Sequence, residues 1–261
     1  MFQTAVIASG SKGNCVLVRT AQTALLVDVG ISAKRVMSAL ETLKVDKNKI
    51  EGILITHEHS DHISGVGAVS RQLHIPVYLT RDTYQACKHR LGNMHERVNF
   101  IQSGSSFTIK NLIIHAFSSP HDAIDSCNFT FTHLDNKDRK LAVATDVGYQ
   151  SRPLTTHLSG CSTIILESNH DRNMLLEGPY PWHLKQRIMS NHGHLSNLDA
   201  VGVIGQIMHS GLKTLILAHL SEVNNLPDLA EQTMRDFLYT LNSDTRLIIA
   251  DQYTHTDLID I

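Results

Sequence analysis

The sequence predicts an α/β fold in which two mixed sheets pack as a two-lobed sandwich, with helices outside and a functional site along one edge. Short apolar runs bounded by glycine, proline and polar clusters alternate with segments of helical period along the 261 residues. Runs such as GILI and TLILA are apolar throughout, which marks strands covered on both faces. The two halves also echo one another, since GILITHEHSDH and TLILAHLSEVNN are each a buried strand running straight into a histidine-bearing loop. No composition shift, linker or low-complexity tract divides the chain, so residues 1–261 are expected to form one domain of two pseudo-symmetric halves.

Taken in order, TAVIA (4–8) is a strand, SGSKGN (9–14) a glycine-rich turn, and CVLVRT (15–20) with TALLVDVG (23–30) a hairpin leading into a buried strand. Residues 32–43 place Val36, Leu40 and Leu43 on one face behind Ser32 as cap, which predicts a helix. KIEGILITHEH is a strand that ends abruptly in polar residues, HISGVGAVSRQL (62–73) a helix, IPVYLT (75–80) a strand, and RDTYQACKHRLG (81–92) a helix closed by Gly92. From 98 to 150 the pattern is mostly strand: NFIQS, SFTIKNLIIHAFSS, SCNFTFTHLD and KLAVATDVG, the last two joined by a turn at Asn136-Lys137-Asp138. STIILES (162–168) is a strand, and PWHLKQRIM (181–189) starts a helix with proline near its first turn. LSNLDAVGVIGQIMHSG (195–211) is a helix capped by Ser196 or Asn197 and stopped by Gly211. KTLILAH (213–219) is a strand, PDLAEQTMRDFLYTLN (227–242) a helix, and TRLIIADQYT a closing strand.

Composition excludes several classes. With 42% apolar and 18% charged residues the chain is neither disordered nor a long coiled coil. Lysine plus arginine number 23 against 25 acidic residues, which argues against coating nucleic acid by bulk positive charge and leaves open a local cationic groove. Cys15, Cys87, Cys127 and Cys161 lack the close spacing of a zinc knuckle or redox dithiol, so they read as buried thiols in a reducing compartment. The opening MFQTAVIASGSKGN is unlike a signal peptide and no apolar run is long enough to cross a membrane, so cytoplasm is the default expectation. Histidine stands out, at 17 residues, and its positions have to decide what that surplus means.

THEHSDH (56–62) is the sharpest chemical signal. His57, His59 and Asp61 alternate, so an extended chain would point them to one side, while His62 begins the next turn. Three imidazoles and a carboxylate crowded after a buried strand are costly unless something positive organises them, which divalent metal ions do. The bland reading is a solvated polar loop cap. Later in the chain His121 in AFSSPHDA reads as a turn cap after Pro120 or a ligand, Asp146 in LAVATDVG as a turn cap ahead of Gly148 or a ligand, and His219 in LILAHLSEVNN as a satisfied strand-end histidine or a ligand.

His-x-His-x-Asp-His after a buried strand, followed by those three residues in that order, resembles the metallo-β-lactamase fold hydrolases. The resemblance spans nearly the whole chain and implies a four-layer αβ/βα sandwich with the site at the edge of two mixed sheets. It implies that one metal takes His57, His59 and His121, that the other takes Asp61, His62 and His219, and that Asp146 bridges them. Two divalent ions, zinc or manganese, about 3.5–4 Å apart can share a water and hold an oxygen anion, a chemistry suited to phosphodiesters, with Asp61 orienting the water or accepting its proton.

NHGHLSN (191–197) resembles the glycine-histidine-serine element of the tRNA-processing branch, which implies that His194 contacts the scissile phosphate and assists the leaving group. ILESNHD (165–171) stands where that branch carries a glutamate followed by alanine-threonine. The departure at Ser168-Asn169-His170 argues against carrying over a Glu167–His194 relay and leaves Glu167 as a supporting partner of a site histidine. SGSKGN reads either as a plain hairpin or as a phosphate cradle using Ser11, Lys12 and Asn14. Together with THEHSDHISG, ATDVGY, LESNHD, NHGHLSN and AHLSEVNN it is similar to the YycJ/WalJ group, which implies a 5′-to-3′ exonuclease on double-stranded DNA with a role in DNA repair. Lys34, Arg35, Arg152, Lys185 and Arg187 either line a phosphate path or are solvated charges, Arg187 being the first to consider.

An RNA 3′-end-processing enzyme, or one acting on a small cyclic phosphodiester, would use the same two-metal chemistry. A thioester hydrolase or lactamase and a non-catalytic metal-stabilised binding protein are the remaining alternatives. His74, His89, His95 and His255 have no assigned role beyond surface or packing.

Overall fold

The computed structural model describes residues 1–94 and 96–261, so His95 lies outside the described residues. Strands β1 (Phe2–Ala8), β2 (Cys15–Thr20), β3 (Ala24–Val27), β4 (Ile50–Leu54), β5 (Val77–Thr80) and β6 (Val98–Ile101) form one sheet, which β14 (Ile259–Asp260) joins beside β1. The second sheet holds β7 (Ser106–Ile109), β8 (Leu112–Ser118), β9 (Cys127–His133), β10 (Asn136–Ala144), β11 (Thr163–Glu167), β12 (Thr214–Ala218) and β13 (Arg246–Ile249). Both are mixed in the same order. Pairings from β14 through β3 and from β7 through β10 are antiparallel; those from β3 through β6 and from β10 through β13 are parallel.

Three apolar clusters separate the layers. One packs the first sheet against α1 (Ala33–Thr42), α3 (Val66–Leu73) and α4 (Arg81–Leu91), and includes Val36, Val69 and Cys87. The second fills the space between the sheets, where Val16, Leu25 and Leu54 meet Phe129, Phe131 and Ile216. The third packs the second sheet against α5 (Arg152–Leu158), α8 (Asn197–Ile207) and α9 (Pro227–Thr240). The result is the expected four-layer α/β/β/α sandwich, in which the central strands β3, β11 and β12 are buried along their whole length.

Local chemistry sets most boundaries. Ser32 accepts from the Arg35 N–H, Gly92 takes a left-handed conformation after α4, and Ser196 forms a capping box with Asp199 at the start of α8. Proline at the first turn starts α5 and α9.

Several expectations are corrected. The helix expected over 62–73 is two pieces, α2 (Ser60–Ile63) and α3, because the Gly65 N–H bonds to the Val29 carbonyl at 2.8 Å instead of continuing the first helical ladder. SFTIKNLIIHAFSS is a hairpin that turns at Lys110 in a left-handed conformation. Asn136-Lys137-Asp138 opens β10, and the turn lies at Leu134-Asp135, where the Asp135 N–H bonds to His133 Nδ1. The helix expected to stop at Gly211 ends at Ile207. Helices α5 and α6 (Arg172–Glu177) and strand β14 were not expected, being too short to show a period; α7 (Trp182–Ile188) was. No helix among the described residues is long and apolar enough to cross a membrane.

Candidate metal centre

Strands β1, β3, β4, β8, β10, β11 and β12 run in the same direction as the parallel strands of their sheets, and residues at or just after their C-terminal ends supply the site. These are Ser9, Asp28, THEHSDH, His121, Asp146, Glu167 and His219. His57 and His59 lie on the non-helical chain after β4, either side of a bend at Glu58, whereas Asp61 and His62 reach the site from the single turn of α2, for which His59 is the cap. The helical turn, and not strand alternation, therefore brings Asp61 to the site beside His62. Asp28, Asp146 and His219 all have φ between 55° and 56°, a left-handed conformation unusual for these residues, and neighbours hold each of them. The His219 N–H donates to Ser9 Oγ at 2.7 Å and its carbonyl accepts from Asn169 Nδ2 at 2.8 Å, while the Asp146 carbonyl accepts from Ser119 Oγ at 2.8 Å.

The imidazoles are oriented from behind. His62 Nδ1 donates to Asp28 Oδ2 at 2.8 Å, His219 Nδ1 to Glu167 Oε1 at 2.8 Å, and His121 Nδ1 to the Gly193 carbonyl at 3.1 Å. Thr56 Oγ1 donates to Asp28 Oδ2 at 2.9 Å and so accepts from His57 Nδ1 at 3.0 Å. With Nδ1 engaged in all four, Nε2 is the ring atom each imidazole leaves for a cation, and these nitrogens point at one another's neighbourhood. Potential ligand atoms of His57, His59 and His121 lie within 4.8 Å of one another, as do those of Asp61, His62 and His219 and those of His57, His62 and Asp146. Asp146 stands between the two triads, with Oδ2 3.1 Å from His62 Nε2 and Oδ1 3.6 Å from His121 Nε2.

A metal fits this arrangement on the structure's own terms. His57 Nε2, His219 Nε2 and Asp146 Oδ2 are buried and have no hydrogen-bond partner among the described residues, a cost that a nitrogen-and-oxygen-binding cation removes. Electrostatics point the same way. Burial pushes His57 well below its ordinary range, and His62 pushes it further. Burial also opposes charge on His62 and His219, but Asp146 with the other nearby carboxylates outweighs it and holds both imidazoles well above theirs. Asp61 and Asp146 stay ionised despite burial because His62 and His219 lie beside them. The bare cluster thus draws positive charge into its centre.

Glu167 is fully buried, and its placement reverses one expectation. Oε1 lies 2.9 Å from His194 Nδ1 as well as 2.8 Å from His219 Nδ1, and Oε2 accepts the Val147 and Leu195 N–H groups, both at 3.0 Å. The contact with His194 is present even though Ser168-Asn169-His170 replaces the usual residues. Those residues form a hub instead. Ser168 Oγ donates to Asn197 Oδ1 at 2.7 Å, Asn225 Nδ2 donates to the Ser168 carbonyl at 2.9 Å, and Asn169 carries the His219 carbonyl.

The expected phosphate residues separate. Ser11 and Arg187 line the cleft over the cluster, Arg187 with its guanidinium paired to Asp122. Lys12 does not reach it, because its ammonium is held by Glu222 at 2.6 Å and Tyr253 at 2.8 Å. The SGSKGN turn uses its own N–H groups: Gly10 donates to Asn14 Oδ1, Lys12 to Gln252 Oε1 and Gly13 to the Gly10 carbonyl. The turn also buttresses the site. The Asn14 N–H carries the Asp61 carbonyl at 2.7 Å, Asn14 Nδ2 lies 3.2 Å from His62 Nε2, and Gly30 packs so closely that a Cβ there would stand 1.6 Å from the Asp61 carbonyl. Lys185 is buried with Nζ on the Leu176 carbonyl, Arg35 donates to the Gln252 carbonyl, and Lys34 and Arg152 are exposed outside the cleft lining.

Sequence reading missed Asp28, Ser9, Asn169 and Asp122. Asp28 left a trace as an isolated carboxylate at the end of the apolar run TALLV, and Ser9 and Asn169 stand within motifs singled out for other reasons.

Comparison with known proteins adds the following. Residues 23–220 match the family model described as Beta-lactamase superfamily domain. The chain is similar to exodeoxyribonuclease YycJ of Bacillus anthracis, at 39% identity over 89% of this chain and 88% of that protein. It is likewise similar to exodeoxyribonuclease WalJ of Streptococcus pneumoniae serotype 2, at 36% identity over 89% of this chain and 87% of that one. The metallo-β-lactamase fold protein YhfI of Bacillus subtilis superposes with a TM-score of 0.71 over 98% of this chain and 100% of its own, at 15% identity, a likeness of fold alone.

Proposed function

This chain belongs to the β-lactamase superfamily and, within it, to the group of YycJ and WalJ, and from that membership we propose that it is a two-metal exodeoxyribonuclease degrading double-stranded DNA from 5′ ends in DNA repair. The observation that carries the reading is the convergence of His57, His59, His121, Asp61, His62, His219 and Asp146 on one point, with three buried ligand atoms unpaired. The similarity to two proteins called exodeoxyribonucleases supports DNA as substrate; polarity, duplex preference and the repair role rest on the motif resemblance.

His57, His59 and His121 would hold one divalent ion, zinc or manganese, and Asp61, His62 and His219 the other, with Asp146 shared. When bound, such ions act as Lewis acids on the phosphate and lower the pKa of a coordinated water. The chain's own residues do the rest. Asp61 keeps Oδ2 3.4 Å from His62 Nε2 and 3.5 Å from His219 Nε2, and its side chain is 22% exposed towards the cleft, so it orients a nucleophilic water or takes its proton. His194 has Nδ1 fixed on Glu167, which leaves Nε2 for a phosphate oxygen or the departing one. Burial disfavours charge on His194, but Glu167 and Asp146 outweigh it and raise its pKa, as suits a proton donor.

The test is turnover of 5′-labelled and 3′-labelled duplex and single-stranded DNA and RNA by protein loaded with Mn²⁺ or Zn²⁺. Release of nucleotides from 5′ duplex ends, abolished in Asp61→Ala, is expected. A metal-loaded wild type that is inert on every DNA and RNA end would sink the reading.

A further inference from the structure

The open cleft over the metal centre has a volume of about 250 Å³ and two unlike surfaces. Its floor is ionic, formed by the histidines and carboxylates described above, whereas one wall is built from Tyr180, Leu184 and Ile188. Leu184 and Ile188 stand four residues apart on α7, one above the other on a single helical face, and both are only partly buried. In a helix that served only to cover a sheet, this face would be sealed in the core. Here the buried residue of α7 is Lys185, tied to the Leu176 carbonyl at 2.6 Å, and the apolar face turns to the cleft. The helix is fixed against the site at its other end, where the Ile188 carbonyl accepts the His194 N–H at 3.0 Å and Arg187 pairs with Asp122.

A ligand that satisfies both surfaces carries an anionic group and, within a few ångströms, a flat apolar one. Inorganic phosphate or a sugar phosphate satisfies the floor alone. A nucleotide satisfies both, since every base presents a π face to an aromatic or aliphatic wall whatever its hydrogen-bonding edge. We propose that Tyr180, Leu184 and Ile188 form a nucleobase site that holds the terminal base of the strand while its phosphate lies over the metal floor. The proposal rests on the phosphodiesterase reading of that floor. It also makes the site tolerant of sequence, because the wall's one hydrogen-bonding side-chain group is the Tyr180 hydroxyl.

The test is calorimetric titration of the Mn²⁺-loaded full chain with deoxyadenosine monophosphate and, separately, 2-deoxyribose 5-phosphate. The nucleotide is expected to bind about tenfold or more tightly than the sugar phosphate, with thymidine monophosphate close behind it. In the double variant Leu184→Asn, Ile188→Asn, and independently in Tyr180→Ser, the ratio is expected to fall to within about threefold. Equal affinities in the wild type, or a preference that survives both variants, overturns the nucleobase site while sugar phosphate binding keeps the floor's assignment intact. A wild type that binds neither probe overturns the floor reading itself, and this proposal with it.

Discussion

Glutamine at position 167 exchanges one carboxylate oxygen for an NH₂ group, and the surroundings of Glu167 make that small change costly in either orientation. Oε1 faces the Asp146 N–H at 3.3 Å and the Nδ1 atoms of His194 and His219, while Oε2 faces the N–H groups of Val147 and Leu195. If the amide nitrogen takes the Oε2 position, two main-chain donors meet a donor. Each hydrogen bond to a charged acceptor contributes about 1.5–3 kcal/mol, so losing two costs about 3–6 kcal/mol. If it takes the Oε1 position, both imidazoles must turn lone pairs to it through Nδ1, and their protons move to Nε2. His219 then offers no Nε2 lone pair to a cation, and a loss of this kind lowers metal affinity by about 10- to 100-fold. Urea denaturation of the metal-free variant measures the first cost, and competition with a chromophoric chelator measures the second. A Glu167→Gln protein with wild-type denaturation midpoint and wild-type metal affinity would refute the argument.

Other consequences follow from the same geometry. Gly30→Ala would place a methyl against the Asp61 carbonyl at 1.6 Å, so the turn bearing Asp61 and His62 must shift; a loss of about 1–3 kcal/mol in urea and weakened metal binding are expected, and an unchanged chelator titration would count against the buttress. Asp28→Ala removes the acceptor behind His62 and Thr56 and should lower metal affinity about 10- to 100-fold while leaving the ligands themselves in place, as read by the same titration. His170 is buried, and burial lowers its pKa from 6.5 to about 4. Between those values the unfolded chain binds the proton and the fold does not, so this contribution, about 3 kcal/mol, is present above pH 6.5 and lost as pH falls towards 4. His170→Gln should flatten that part of the stability–pH curve in denaturant titrations at pH 7, 6, 5 and 4, and an unaltered slope would show that burial of His170 is not its source.

The fold was legible where periodicity is long. Strands β4, β11 and β12 each contain or run into a short apolar stretch, and the helices α1, α4, α8 and α9 carry a cap, a stop or a proline that fixes at least one end. What escaped was short or set by distant partners. Helix α6 spans six residues behind Asp171 as cap, β14 exists only because Gln3 and Thr4 pair with it, and the break between α2 and α3 depends on a carbonyl from another loop. Local composition contains none of that information.

The site divides in the same physical way. Its ligands were legible because a cation accepts few residue types, and a crowd of histidines and carboxylates after a buried strand has few other stable uses. Their supports were not, because a backing partner has only to present a donor or acceptor at one place. An aspartate serves behind His62, a main-chain carbonyl behind His121, and a serine hydroxyl takes the His219 N–H. The Ser168-Asn169-His170 departure is instructive for that reason. In the sequence it argues against carrying over a link between Glu167 and His194, yet the glutamate needs only its own position at the end of β11, and the residues after it are free to form a hub that carries the His219 backbone instead. The SGSKGN turn has a task beside the anion cradle that its glycines suggest: three of its N–H groups are taken by Asn14, Gln252 and the turn itself, and the Asn14 N–H holds Asp61 from behind. Motif spacing therefore identifies the atoms that touch a metal, while the orientation of those atoms resides in contacts between loops that lie far apart in the chain.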